Sequence, residues 1–291
     1  MRTKLAAIAV AASAALVAAP AFAGVPTTDL DPATLGRGAD VAIPHLEGKT
    51  FVDGDLRVPL GGRYAWLLGA SGGGHLVAVN AMSTAVRRID AAGNVSTVVK
   101  TPTAASVHLS ENGRRIVVTG VTGGKAQPRT IYSATTGEPL RRRTFSGYPT
   151  TLGMTGAKVL LSDWKRGTYW WASGSGRLTT VSKRPAGYAD LGNDLFASYT
   201  ADPYQGGCTV LSRISRPGRT IWRSCKERVE SISPDERLIA TVDILSDGIG
   251  PATSSCARGP APGWPTTGPV SGSARSHGRT TTRSCSTPTR R

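Results

Sequence analysis

The feature that most constrains the fold is a unit of about 40 residues that recurs along the middle of the chain. Each complete unit has four short β-rich runs separated by turns of Gly, Pro, Asn and Asp. The units are offset by 42, 45, 38 and 40 residues and begin at Arg63, Ala105, Thr150, Tyr188 and Arg228. Short strands at this spacing predict an all-β fold with antiparallel sheets.

The turn between the third and fourth runs is the most regular part of the unit. It carries Gly in every complete copy, at Ala91–Asn94, Thr135–Glu138, Ser173–Gly176 and Ser215–Gly218. Four strands per 40-residue unit is the period of a propeller blade. We therefore predict a β-propeller of four-stranded blades over residues 49–250. It would be incomplete, with about five blades, and Thr50–Leu60 would supply strands that close the ring onto the last blade.

A short hairpin motif carries a family resemblance. Ser231–Ala240, with the sequence SISPDERLIA, resembles the S-P-D-G-x-x-I/L-A hairpin of TolB-like and WD40-like propellers of bacterial secreted type. Leu109–Val117 is a degenerate second copy, in which Asn and Gly suit a tight turn. The first copy departs from the pattern because Glu236 stands where Gly is usual. The resemblance implies a fold, but propellers host many unrelated activities.

The N-terminus has the three parts of a secretory signal peptide over residues 1–23. Arg2 and Lys4 form a positive start, Leu5–Ala19 is an Ala-rich apolar run, and small residues precede Gly24. A membrane anchor would need about 20 strongly apolar residues. We predict cleavage between Ala23 and Gly24, then an extended segment over 24–48. The mature protein would be secreted or extracytoplasmic, in the periplasm or cell wall, without an integral membrane span.

Four cysteines are present, at positions 208, 225, 256 and 285. Cysteines pair by default in an oxidising compartment, and three pairings are possible in principle. Cys208 and Cys225 stand 17 positions apart in two strand-like segments joined by a turn, so we favour a disulfide between them. A zinc site is the alternative, but it lacks a C-x-x-C spacing and a nearby His.

The composition changes abruptly after Gly250. Residues 252–291 contain no Asp, Glu, Lys, Ile, Leu, Phe, Tyr or Met. Such a segment cannot bury enough apolar surface to offset its ordering entropy, so we predict that residues 251–291 are disordered. Two interpretations remain open. In the first, the tail is a native Ser/Thr/Pro/Arg-rich segment. In the second, the coding frame shifts near Gly250. We favour the second, because the acidic residues disappear in the middle of the fifth repeat unit.

Three short patterns suggest chemistry but have structural alternatives. Gly69–Gly73 matches the G-x-S-x-G nucleophile elbow, but the strand-like run His75–Asn80 follows it where the elbow needs a helix. We interpret it as a Gly-rich hairpin loop. Arg141–Arg143 could bind phosphate groups or form a solvated strand edge. Tyr169–Trp171 could stack on a sugar, but strand alternation places one Trp in the core.

The net charge bears on partners. Lys and Arg number 35 against 19 Asp and Glu, a formal charge of +16. A basic exported protein can meet anionic wall polymers, whereas export separates it from nucleic acid. We predict a binding or scaffold module without catalytic, cofactor or metal residues, whose partner is a protein or a cell-wall polymer. The alternatives are an exported hydrolase or lyase on a propeller scaffold, and a wall protein that binds anionic polymer through its basic tail.

Overall fold

The computed structural model describes residues 43–103, 105–120, 126–246, 253–258 and 274–275, the last two ranges as backbone only. These residues form strands and one turn of 3₁₀ helix at Pro203–Gln205. No helix in this part of the chain is long and apolar enough to cross a membrane. The predicted signal peptide, its cleavage site at Ala23 and Gly24, and residues 24–42 lie outside the described residues.

The strands form six antiparallel sheets in chain order. The N-terminal sheet has three strands, β1 (His45–Glu47), β2 (Thr50–Asp53) and β3 (Leu56–Pro59). Five four-stranded sheets follow, which we call blades 1 to 5. Blade 1 contains β4 (Tyr64–Ser71), β5 (Gly74–Asn80), β6 (Thr84–Asp90) and β7 (Val95–Lys100). Blade 2 contains β8 (Ala105–Leu109), β9 (Arg115–Gly120), β10 (Ala126–Ser133) and β11 (Pro139–Ser146).

The remaining blades repeat the same up-and-down order. Blade 3 contains β12 (Thr150–Thr155), β13 (Lys158–Asp163), β14 (Gly167–Ala172) and β15 (Leu178–Ser182). Blade 4 contains β16 (Ala186–Asp190), β17 (Leu195–Tyr199), β18 (Thr209–Arg213) and β19 (Arg216–Ser224). Blade 5 contains β20 (Glu227–Ile232), β21 (Leu238–Asp243), β22 (Thr253–Arg258) and β23 (Ala274–Arg275). The first strands of the five blades fall within two residues of the predicted unit starts, which confirms the repeat.

One predicted turn is misplaced. The first three third-to-fourth turns lie where the sequence predicts, but β18 and β19 are joined at Ile214 and Ser215, so Arg216–Gly218 begin β19 instead. Asp194 fixes this turn, because its carboxylate accepts hydrogen bonds from the backbone N–H and the hydroxyl of Ser215. A register shift in the β18–β19 pairing accommodates the Pro and Gly that follow.

The core lies between the faces of neighbouring sheets. Trp171 of β14 is fully buried, and its ring meets the edge of Phe145 in β11 with centroids 5.3 Å apart. Tyr169 and Met154 belong to the same cluster. This confirms that strand alternation packs one Trp of Tyr169–Trp171 between blades, and it leaves Trp171 unavailable for a sugar.

Among the strands that the structure describes, the N-terminal sheet does not pair with blade 5, as the predicted ring closure requires. In the described residues, β1 to β3 pair with one another, and Phe51 and Val58 pack on Ile89 of blade 1. A Cβ on Gly93 would meet Leu56 of β3, just as one on Gly137 of the next blade would meet Val98 of β7. The sheet therefore takes the place of the second, third and fourth strands of a further blade. Its apolar side chains are buried against blade 1, and this burial favours packing on blade 1 over pairing with blade 5.

Two stretches of the predicted tail differ from the expected disorder. β22 pairs along β21 from Leu238 to Val242, and β23 pairs with the start of β22. A strand ladder satisfies backbone N–H and C=O groups and needs no large apolar side chains, so a Ser/Thr-rich segment can occupy the edge of β21. The other residues of 251–291 lie outside the described residues.

The disulfide between Cys208 and Cys225 is present, as the sequence predicts. Cys208 precedes β18 and Cys225 follows β19, next to the paired residues Thr209 and Ser224. The bond therefore joins the open end of the β18–β19 hairpin, opposite its turn.

The two SPD-like hairpins share one geometry. Ser233 and Ser110 each donate a hydroxyl hydrogen bond to the residue two positions ahead, and each accepts one from a backbone N–H five positions ahead. Gly113 has a φ of +66°, and Glu236 has a φ of +57° at the position where Gly is usual. The Glu236 carboxylate forms a two-point ion pair with Arg213 of blade 4, at 2.7 and 3.1 Å. This ion pair joins blade 4 to blade 5 at the turn where Glu236 has a left-handed backbone conformation.

We expect the double variant Cys208→Ala, Cys225→Ala to lose about 3 kcal/mol of unfolding free energy. The reason is that the disulfide joins residues 17 positions apart and so restricts the unfolded chain. Urea unfolding followed by circular dichroism measures the loss. The oxidised wild-type protein is the reference, and a double variant of equal stability would contradict the prediction.

Gly113→Ala and Gly156→Ala form a matched pair, because both glycines occupy first-to-second strand turns at positive φ. A Cβ at Gly113 would lie 2.4 Å from the Ala70 carbonyl oxygen of blade 1, whereas one at Gly156 meets nothing within 4 Å. We expect Gly156→Ala to cost about 1 kcal/mol from backbone angles and Gly113→Ala to cost about 1–3 kcal/mol more from overpacking. Urea unfolding compares them, and equal losses would refute the close approach of blades 1 and 2.

Candidate functional site

The antiparallel order of the strands gives the blades two different ends. Turns between first and second strands and between third and fourth strands lie at one end, which we call the turn face. Turns between second and third strands, and the linkers between blades, lie at the other end, which we call the linker face. Candidate residues occur at both ends.

A cleft of about 500 Å³ on the turn face contains the residues of the G-x-S-x-G motif. Asp53, Ser71, His75 and Glu111 line it. The imidazole Nδ1 of His75 lies 4.0 Å from a carboxylate oxygen of Asp53, and the His75 ring packs 5.2 Å from that of Phe51. The fold thus brings Ser, His and Asp together, so the hydrogen bonds of Ser71 decide whether they can act as a triad.

The bonds of Ser71 are structural. Its buried hydroxyl donates to the Gly113 carbonyl at 2.5 Å, and Arg88 donates to it at 3.4 Å. Ser71 pairs with Gly74 at the end of a hairpin, which confirms the Gly-rich hairpin loop. A nucleophilic Ser needs a hydrogen bond to its base, and here that bond goes to a carbonyl. No group of three or more His, Cys, Asp or Glu that could hold a metal ion occurs among the described residues.

The Arg141–Arg143 run also has a structural role. Arg141 and Arg143 donate to the carbonyl oxygens of Gly174 and Gly176, in the third-to-fourth turn of blade 3. Arg142, on the same outer strand, is exposed. Two of the three guanidinium groups are therefore engaged in holding blade 2 against blade 3.

The linker face carries most of the large exposed apolar side chains. They lie in linkers, in second-to-third turns or at the strand ends beside them, at Tyr64, Met82, Tyr148, Trp164, Tyr204 and Leu245. Trp164 is 59% exposed. A contiguous exposed apolar patch marks an interaction site, whereas apolar side chains that are scattered singly do not.

Trp164 lies on this face in contact with the neighbouring blade. It begins the turn between β13 and β14, and its ring stacks on that of Tyr199 from blade 4, with centroids 6.3 Å apart and planes 17° apart. Lys165 and Arg166 complete the turn, and Lys183 and Arg184 lie on the next linker. We call these six residues the cationic aromatic patch: Trp164, Lys165, Arg166, Lys183, Arg184 and Tyr199.

Hydrogen bonds hold the two segments of the patch in place. The Asp163 carboxylate accepts from the backbone N–H groups of Lys165 and Arg166, and from the hydroxyl of Tyr169. Burial and the bond to Asp163 raise the pKa of Tyr169, so the hydroxyl keeps its proton. The Thr168 hydroxyl donates to the Arg184 carbonyl, which ties the linker beneath the turn.

The patch carries positive charge at the surface, and the neighbouring carboxylate of Asp163 does not neutralise it. Lys165, Arg166, Lys183 and Arg184 are exposed, whereas Asp163 is half-buried and already bonded. Sequence reasoning missed this group, because it singled out the neighbouring Tyr169–Trp171. The available signal was a Trp followed by two basic residues and Gly167 at the end of an apolar run. Its partner Tyr199, 35 positions later, could not be linked to it.

No protein-family model and no curated protein matches the chain. Among solved structures it is similar to the acylaminoacyl peptidase of Pyrococcus horikoshii, with a TM-score of 0.51 and 9% identity over 72% of this chain and 39% of that one. It is also similar to TolB from Acinetobacter baumannii (TM-score 0.47, 12% identity, 72% and 57% coverage) and to the C-terminal WD40 domain of Sif2 (0.43, 14%, 68% and 57%).

The chain spans less than two thirds of each of these three proteins, and such low identities bear on the fold and not on the activity. The successive four-stranded antiparallel sheets match the blades predicted from the repeat. The chain has a β-propeller fold of four-stranded blades, as its repeat predicts.

Proposed function

We propose that the protein is an extracytoplasmic binding module that holds an anionic partner through the cationic aromatic patch. The observation that carries the proposal is the exposed Trp164 ring stacked on Tyr199 beside four exposed cations. The disulfide between Cys208 and Cys225 supports a location outside the cytoplasm, since such bonds persist in oxidising compartments. The signal-peptide pattern over residues 1–23 predicts the same location.

The patch is suited to binding because its aromatic ring is held before any partner arrives. Trp164 rests on Tyr199, and Tyr199 is fixed through its backbone N–H, which donates to the Pro185 carbonyl at 2.8 Å. A side chain that is already ordered loses less entropy when a ligand binds. Trp, Tyr and Arg are also the residues that most often dominate binding energies.

The positive charge of the patch favours a partner with negative charge. Because Asp163 is engaged with backbone N–H groups, the ammonium and guanidinium groups of the patch can bond to acidic groups on a partner. Such contacts are screened by salt, so the affinity should fall as ionic strength rises.

A hydrolase centred on the turn-face cleft is the weaker alternative. His75 and Asp53 approach each other there, but Ser71 is buried and donates to Gly113. A wall-binding role for the basic tail concerns side chains that the structure does not describe. The patch provides a folded binding surface for the same class of partner.

Trp164→Ala should weaken retention of the purified protein on cell envelopes of its own organism at least tenfold. The reason is that a central aromatic contact is typically worth more than about 1.4 kcal/mol. The measurement is co-sedimentation over a concentration series in low-salt buffer. Leu140→Ala is the matched control, because Leu140 is 45% exposed on the outer strand β11 and should leave retention unchanged. Equal dissociation constants for Trp164→Ala and the wild-type protein would refute the proposed function.

A further inference from the structure

We propose that the partner of the cationic aromatic patch is an anionic polysaccharide. A sugar ring would stack on Trp164, and the acidic groups of the chain would bind the flanking cations. This inference rests on the proposed function and names the class of ligand. It follows from the geometry of the ring and from the exposed basic residues on the same turn and on the next linker.

The Trp164 indole offers one face to a ligand. Tyr199 forms an offset, nearly parallel stack with it, and 59% of the Trp164 residue stays exposed. The face of an aromatic ring carries negative charge density, which attracts the C–H groups on the apolar side of a pyranose. The exposed part of the Trp164 ring can therefore stack on the apolar side of one sugar ring.

The cations lie on two neighbouring segments next to that ring. Lys165 and Arg166 follow Trp164 in the same turn, and Arg166 also lies over the Tyr169 ring at 5.9 Å. Lys183 and Arg184 lie on the linker that Thr168 holds beneath the turn. A polymer with an acidic group on each repeating unit can bond to both segments while one of its rings stacks on Trp164.

The other charged groups near Tyr199 do not reverse this preference. Glu230 pairs with Arg228 at 2.8 Å, on the first strand of blade 5. Of these two, Arg228 lowers and Glu230 raises the pKa of Tyr199, while burial remains the main cause of its rise. This ion pair therefore adds no net charge beside the four exposed cations of the patch.

The surroundings of Trp164 favour a hydrated polymer over a protein surface. Protein hot spots lie in dry centres surrounded by neutral contacts, and lysine is depleted there. Trp164 is instead flanked by exposed Lys and Arg side chains. Acidic polysaccharides keep their water and present charge at every repeat, which suits such a surface.

The test measures binding of the full exported chain to three immobilised polymers in 50 mM salt buffer. Polygalacturonate has rings and acidic groups, dextran has rings without charge, and poly-L-glutamate has acidic groups without rings. We expect binding to polygalacturonate at least tenfold tighter than to either other polymer. Equal or tighter binding to poly-L-glutamate would overturn the inference in favour of an acidic protein partner, and equal binding to dextran would overturn the role of the cations.

Variants separate the two parts of the patch. Trp164→Ala should lose at least tenfold in affinity for polygalacturonate, whereas Trp164→Phe should retain most of it. Arg184→Glu should lose at least tenfold, and Arg142→Glu is its control, because it makes the same charge change at an exposed position on β11. Gly187→Ala should weaken binding severalfold, since its Cβ would lie 2.6 Å from the present Tyr199 hydroxyl.

The outcomes distinguish this inference from the proposed function. If envelope retention depends on Trp164 but polygalacturonate is not bound, the polysaccharide inference fails and the proposed function stands. If neither depends on Trp164, both fail. Thermal unfolding and circular dichroism establish that each variant is folded, and Arg142→Glu binding as weakly as Arg184→Glu would show that net charge, not the patch, drives binding.

Discussion

Packing between the faces of neighbouring sheets is the constraint on which the structure depends. A lone four-stranded sheet exposes its apolar faces, so each blade is stable because the next one covers it. The second strands show this most clearly, because adjacent residues such as Leu76 and Val77, or Leu160 and Leu161, are all fully buried on opposite faces. The same requirement explains the N-terminal sheet, whose Phe51 covers the first blade.

Packing of this kind brings the turns of adjacent blades together, and their polar groups then bond across the gap. On the turn face, Ser71 bonds to Gly113, Arg115 to Ser173, and Arg213 to Glu236. Each bond joins one blade to the next. Polar residues at this end are therefore engaged in holding the blades together. The linker face carries most of the large exposed apolar side chains, and the stack of Trp164 on Tyr199 there also joins blade 3 to blade 4.

These hydrogen bonds and packing contacts between blades explain the roles that the sequence motifs have in the structure. In the sequence, the serine of G-x-S-x-G resembles a nucleophile and the Arg141–Arg143 run resembles a phosphate-binding site. In the structure, that serine and two of the arginines donate hydrogen bonds to carbonyl groups of the neighbouring blade. Trp171 looks like a sugar platform but packs against Phe145. The sequence predicted the strand or turn in which each of these side chains lies. It did not predict the group that each one contacts on the next blade, because that group belongs to a residue far away in the chain.

The amino-acid sequence by itself determined the strands, their 40-residue period, most of the turns and the Cys208–Cys225 bond, because alternation, turn chemistry and hairpin pairing act over a few residues. Tertiary structure decided which surfaces meet. It packed the N-terminal sheet on blade 1, and it stacked Trp164 on Tyr199 across two blades. Those contacts depend on how whole sheets pack, and no local pattern encodes that.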